Sequence, residues 1–152
     1  MQSNSNSILA WKIPIVRYAI LIVLAHTIIN WLHGIAHQQV GISISDLQSA
    51  YVFSVTLVMP IAAAIMLFLN KPKKIQRGGA WLLIVSMLGS LLFGLIYHVL
   101  LPGSDNIFTV MHEASFDSAV FFTSTAILLL IIEGIGSWLG AIAIRRMAKL
   151  AY

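Results

Sequence analysis

The chain of 152 residues contains no cysteine. Disulfides, thiolate-ligated iron–sulfur clusters and blue-copper sites are therefore excluded. Charge is almost as scarce: Asp, Glu, Lys and Arg make up 9% of the sequence, against about a quarter in soluble domains. Hydrophobic residues reach 59% in their place. No internal repeat is visible, and the only low-complexity tract is the N-terminal "MQSNSNS".

Crossing a hydrocarbon core of about 30 Å takes roughly 20 apolar residues in a helix. Four runs meet that length: about Pro14 to His37, Ala50 to Leu69, Ala80 to Leu101 and Ser118 to Ile144. The segments between them are too short for a soluble domain. The expected fold is all-α, an integral membrane four-helix bundle forming a single domain over residues 1–152, multi-pass in the cell membrane. No small-residue cleavage pattern follows the first run, which reads as a retained anchor.

A formal charge of +4 has meaning only once it is placed along the chain. Lys12 and Arg17 precede or open the first run; Lys71, Lys73, Lys74 and Arg77 fill the loop after the second; Arg145, Arg146 and Lys149 follow the fourth. All nine basic residues thus fall on one side of a four-span arrangement. The positive-inside rule makes that side cytoplasmic, with both termini inside, and removes nucleic acid as a partner. Acidic Asp46, Asp105, Glu113 and Asp117 sort to the opposite side, and only Glu133 lies within a run. Trp11, Lys12, Arg17 and Tyr18 suit the inner interface, and Trp31, Trp81 and Trp138 read as anchors or packing.

Local signals punctuate the runs. Ser45 and Gln48 have capping-box spacing, which predicts a helix start near Asp46. Pro72 and the Gly78–Gly79 pair are expected to prevent a continuous helix across the basic loop. Pro102–Gly103 stops the third run, after which Ser104 or Asp105 is a candidate cap. Beyond Asn106 two readings stand: one long helix, or a short surface helix holding "VMHEASFD" and then a bend. Either leaves His112 on the outer side. Gly136 and Gly140 suit close packing within the bundle better than dimerisation.

The histidines are distributed unevenly. At about 100° per residue, His26, Asn30, His33 and His37 fall on one stripe of the first helix. His98 lies near the outer end of the third run, and His112 and Glu113 follow within a short loop. Four of the five histidines thus converge on the outer leaflet from three chain segments. Ionisable groups in a span are costly, about 2.5 to 3.5 kcal/mol for a central charge, so the stripe is expected to face helices three and four.

Neutral imidazole is a common ligand for zinc, copper and iron, and two at i and i+4 project from one helix face. The expected metal ligands are His33, His37, His98 and His112, with Glu113 assisting; Met111 is a weaker thioether candidate. Asn30, Tyr97 and Asp117 are expected to orient the imidazoles. His26 reads as a core histidine bonded to Thr123 or Ser124, and Glu133 as an intramembrane carboxylate that pairs with Arg145, reaches water or carries a proton. "HGIAH" has Gly34 where a zinc protease needs its Glu base, which argues against that mechanism.

"WLHGIAHQQVGIS" together with "GSLLFGLIYHVLLPGSDN" resembles a pattern in small four-span membrane proteins of prokaryotes. The similarity covers helices one and three and the loop after three, about half the chain. It implies four spans and draws attention to His33, His37 and His98, without implying an activity.

Three functions compete at this level. One is a membrane protein with a transition-metal site near its outer surface, of copper, iron or zinc, suited to redox work on a lipid-soluble substrate or to metal handling. A second is a haem b protein whose axial ligands are His98 and one histidine of helix one, with Gly34, Gly89 or Gly94 making room. The third is a non-catalytic accessory subunit. Expected partners are membrane lipids, and further membrane subunits or a second copy in a homo-oligomer. A secondary transporter is disfavoured, since no inverted repeat or broken-helix signal is present.

Overall fold

Helices form over each apolar run and extend beyond it. They cover Ile15–Gln39, Asp46–Phe68, Lys74–Leu100 and Phe116–Lys149, each long and apolar enough to cross a membrane; they are called spans one to four below. The structure, a computed structural model, describes residues 14–69 and 73–149, with no strand among them. Trp11, Lys12, Lys71, Pro72 and both ends of the chain lie outside the described residues.

Span two begins where the capping box predicts. Ser45 Oγ accepts the Gln48 N–H at 3.3 Å, and Gln48 Oε1 accepts the Ser45 N–H at 2.8 Å. Pro60 then removes a donor from the helix interior, and the preceding turns, Val52–Val58, are π-helical. A second π-helical stretch, Leu95–Leu100, ends span three and carries His98. Such wide turns recur at functional sites.

The glycine pair of the basic loop does not break the helix. Gly78 and Gly79 lie inside it, because Gly79 serves close approach: a Cβ there would stand 2.8 Å from Met66 Cβ and 3.0 Å from the Ala63 carbonyl oxygen. After Pro102–Gly103 the cap is Asn106, rather than Ser104 or Asp105. Its Oδ1 accepts the Phe108 N–H at 3.0 Å, while its amide donates to the Val99 and Leu101 carbonyls at 3.1 and 3.0 Å. One buried side chain thereby starts the helix Ile107–Glu113 and ties down the end of span three. A break at Ala114–Ser115 precedes span four, so the short surface helix is the reading that holds.

Span four packs against spans one and three, and span three against span two. Span one meets the lower half of span two, Met59–Phe68, and scarcely touches its π-helical upper half. An apolar core fills the end near the basic loops, built from Val16, Ala63, Leu67, Leu83, Met87 and Ala143 among others. A smaller one, around Ala36, Val110, Ala119 and Phe122, lies near the acidic loops. Between them sits a layer of buried polar side chains: His26, His33, His98, Thr125 and Glu133.

Candidate metal centre

The stripe on span one does face spans three and four. His33 and His98 are both 6% exposed, and His37 is half-buried beside them. One nitrogen from each of the three lies within 4.8 Å of the others. The rings interlock, His33 being edge-on to His37 at 4.7 Å and to His98 at 4.9 Å between centroids. Phe122 of span four closes the cluster, 5.0 Å from both His33 and His37.

The hydrogen bonds around the cluster limit where its protons lie. Thr125 Oγ1 lies 2.9 Å from the carbonyl oxygens of Phe121 and Phe122 and from His33 Nδ1, and its single proton serves one of the three. Given to a carbonyl, it leaves His33 Nδ1 as the donor and Nε2 bare; given to Nδ1, it leaves the proton of His33 on Nε2. His98 Nδ1 donates to the Asp105 carbonyl oxygen at 3.0 Å, which leaves the His98 Nε2 lone pair free. His33 Nε2 and His98 Nε2 face each other at 3.2 Å. In the first arrangement two lone pairs meet there and a shared cation relieves their repulsion; in the second His33 donates to His98.

Asp105 organises the same pocket. Its Oδ1 lies 3.2 Å from His98 Nδ1 and 3.3 Å from His37 Nε2. These are ion-pair distances without hydrogen-bond geometry: Asp105 Oδ1 and His37 Nδ1 are both buried without a hydrogen-bond partner. A carboxylate or carbonyl on the far side of each imidazole is the usual support of a histidine metal ligand. Two nitrogens bound 2.0–2.1 Å from one tetrahedral ion stand about 3.3 Å apart. The His33–His98 separation of 3.2 Å matches that edge, and a nitrogen of half-buried His37 lies within 4.8 Å of both.

A haem fits less well. Axial nitrogens on opposite faces of a macrocycle stand about 4 Å apart if each bond is near 2.0 Å, with a clear slab around them. Here the nitrogens are closer, and His37 and Phe122 occupy the perimeter, 5.8 and 5.7 Å from the His98 ring.

The remaining expected site residues fall elsewhere. His112 and Glu113 are exposed on the short helix and stand outside the histidine group, and Met111 is exposed as well. Asp117 is exposed in the first turn of span four. Tyr97 packs on Phe93 at 4.6 Å and lines a hollow of about 230 Å³ beside Asp105. Asn30 is half-buried in a hollow next to His33 and His37. Thr125 and Asp105 are the residues in polar contact with these imidazoles. One cue to Asp105 was available: it is an acid seven residues beyond His98, across a Pro-Gly turn that folds the chain back over that ring.

Two turns below His33, His26 Nε2 bonds Glu133 Oε1 at 3.2 Å, rather than Thr123 or Ser124. The two side chains are 1% and 3% exposed, and Glu133 is thus partnered within the bundle. Thr123 Oγ1 is buried with no partner.

An all-helical chain with four membrane-length helices and a buried histidine group able to hold a metal ion is the class that fold and site define. No family model, curated protein or solved structure matches the chain, so its function has to be argued from this chemistry.

Proposed function

We propose that this protein is a multi-pass membrane protein that holds one transition-metal ion on His33, His37 and His98, near the outer surface of the cell membrane, for redox work on a lipid-soluble substrate. The observation that carries the reading is the approach of three imidazoles, one nitrogen of each within 4.8 Å of the others, with His33 Nε2 and His98 Nε2 3.2 Å apart. A shared proton would satisfy those two rings and leave the unpartnered Nδ1 of His37 without a role; a metal ion uses all three. The outward placement rests on the positive-inside rule, because the centre lies at the end opposite the basic loops.

Three nitrogen ligands leave an open coordination position. Copper, iron or zinc suits the donor set, of which copper and iron alone could supply redox chemistry, and an ion with an open position polarises or activates what binds there. The chain's own contribution is orientation: Thr125 and Asp105 hold the imidazoles, Phe122 excludes water from one side, and Asn106 anchors the turn that delivers Asp105.

Element analysis and an absorption spectrum on natively purified protein test this. About one equivalent of a transition metal, lost in His33→Ala and in His98→Ala, is the expected result. Less than about 0.1 equivalent, in protein that also lacks a haem band, defeats a stoichiometric centre. Variants that keep full stability without metal would then favour an accessory subunit of a larger membrane complex.

A further inference from the structure

Spans one and two part company at their acidic ends. Below Thr27, span one packs on Met59–Phe68; above it, the π-helical half of span two stands away. A hollow of about 420 Å³ opens in that gap, reaching Asn30, Trp31, His33, His37 and Gln38 on span one and Val52 on span two. Gly34 faces it, with nothing within 4 Å of where its Cβ would be. Lower in the same seam lies a second hollow of about 320 Å³, lined by Val23, Leu24, Thr27, Ile61, Ala64 and Ile65 among others. Thr27 of the lower set and Asn30 and Trp31 of the upper are one helical turn apart. From Gln38 to Ile20 the two sets run about 27 Å along span one, nearly the depth of a hydrocarbon core.

The chemistry of the seam is graded. Its lower part is apolar apart from one hydroxyl, whereas its upper part offers an amide from Asn30, another from Gln38 and the edges of two imidazoles. Among the described residues, neither lining includes a Lys, Arg, Asp or Glu. A phosphate head would meet no cation there and an ammonium head no carboxylate. Trp31, His33 and His37 provide flat ring surfaces instead. Each hollow has the size of a ligand pocket.

We propose that this seam binds a neutral membrane amphiphile of the prenylated quinone or phenol type, its hydrogen-bonding ring beside His33 and His37 and its single apolar tail along the lower hollow. The ligand enters sideways from the bilayer. This names the substrate class of the centre proposed above and rests on that reading for its chemistry, although binding itself is measured separately. On the other side of the Ile42–Ile44 loop, the hollow at Tyr97, Ser104 and Asp105 opens among loop residues. The centre therefore has a lipid-side approach to its rings and a separate one, through the loops, to the carboxylate that orients them.

Native mass spectrometry of the full chain in detergent, with a decyl-tailed benzoquinone as probe and metal content measured on the same sample, tests the proposal. Wild type is expected to take one equivalent of the probe. Gly34→Trp, which fills the upper hollow, should weaken it about tenfold or more, whereas Leu92→Trp on the exposed face of span three should not. Val52→Trp reaches the same hollow from span two and repeats the test should Gly34→Trp fail to fold. Excess phosphatidylglycerol should not displace the probe. Equal binding by wild type and both hollow-filling variants, or displacement by phosphatidylglycerol at equal concentration, overturns the proposal. Probe loss in the variants with no metal in any sample sinks the metal reading alone; metal in every sample with unchanged probe binding sinks this one alone.

Discussion

Near the basic loops, spans three and four approach so closely that a Cβ at Gly140 would stand 2.7 Å from Ile84 Cγ1 and 3.2 Å from the Ala80 carbonyl oxygen, and the side chains buried around them are apolar except for Gln76 and Ser86. Toward the acidic loops, the same two spans bury His98 and Thr125. Lipid tails are as apolar as Leu, so helices in a membrane associate through tight packing of small residues or through polar contacts. One end of this bundle uses the first means and the other the second. Packing alone would hold both ends together, and buried imidazoles cost free energy that Ala or Leu would not. On the function proposed above, the polar end is explained by the ion it holds.

Mutations at the two ends should separate these roles. The largest effect is expected from His98→Ala, which removes one ligand and the contact across the bundle; metal content should fall below about 0.1 equivalent, measured by element analysis, while the helical circular dichroism persists. Asp105→Asn keeps the shape of the side chain but weakens its hold on His37 and His98. It should lower metal affinity by roughly 10- to 100-fold, read by competition with a chelator. Gly140→Leu at the apolar end should cost about 1–3 kcal/mol by overpacking, seen as an earlier unfolding transition in denaturing detergent, with the metal still bound. A metal loss in Gly140→Leu before unfolding would show that the two ends are not independent.

The smallest effect concerns the pair midway between the ends. Glu133→Leu leaves His26 Nε2 without its partner and should destabilise by about 1 kcal/mol, the scale of a single hydrogen bond between spans. Metal stoichiometry should not change. If Glu133→Leu instead releases the metal, the His26–Glu133 pair belongs to the centre and the division between the two ends has to be redrawn.

The degree to which the site was legible varies by residue. His33 and His37 could be paired from their i, i+4 spacing, and the inward rotation of their stripe followed from the cost of exposing it to lipid. His98 could be assigned to the right depth, but its direction depends on the π-helical turn Leu95–Leu100, which no wheel of constant pitch describes. His112 and Glu113 share the acidic end with the cluster. The short helix carrying them, however, leaves both exposed, while the Pro102–Gly103 turn brings Asp105 back over the rings.

Four helices of membrane length, their boundaries to within a few residues, and the sorting of charge to opposite ends were determined by the amino-acid sequence alone. Apolar run length and charge placement are one-dimensional properties, set by bilayer thickness and by the cost of burying a charge. Which nitrogens face one another, that Thr125 and Asp105 contact the imidazoles, that His26 pairs with Glu133, and that spans one and two part at one end were decided only by the tertiary structure. Those features depend on angles between helices and on local changes of pitch at Pro60 and before Pro102, and a bend of about 10° acting over about 10 Å moves a side chain by about 2 Å, enough to break a hydrogen bond.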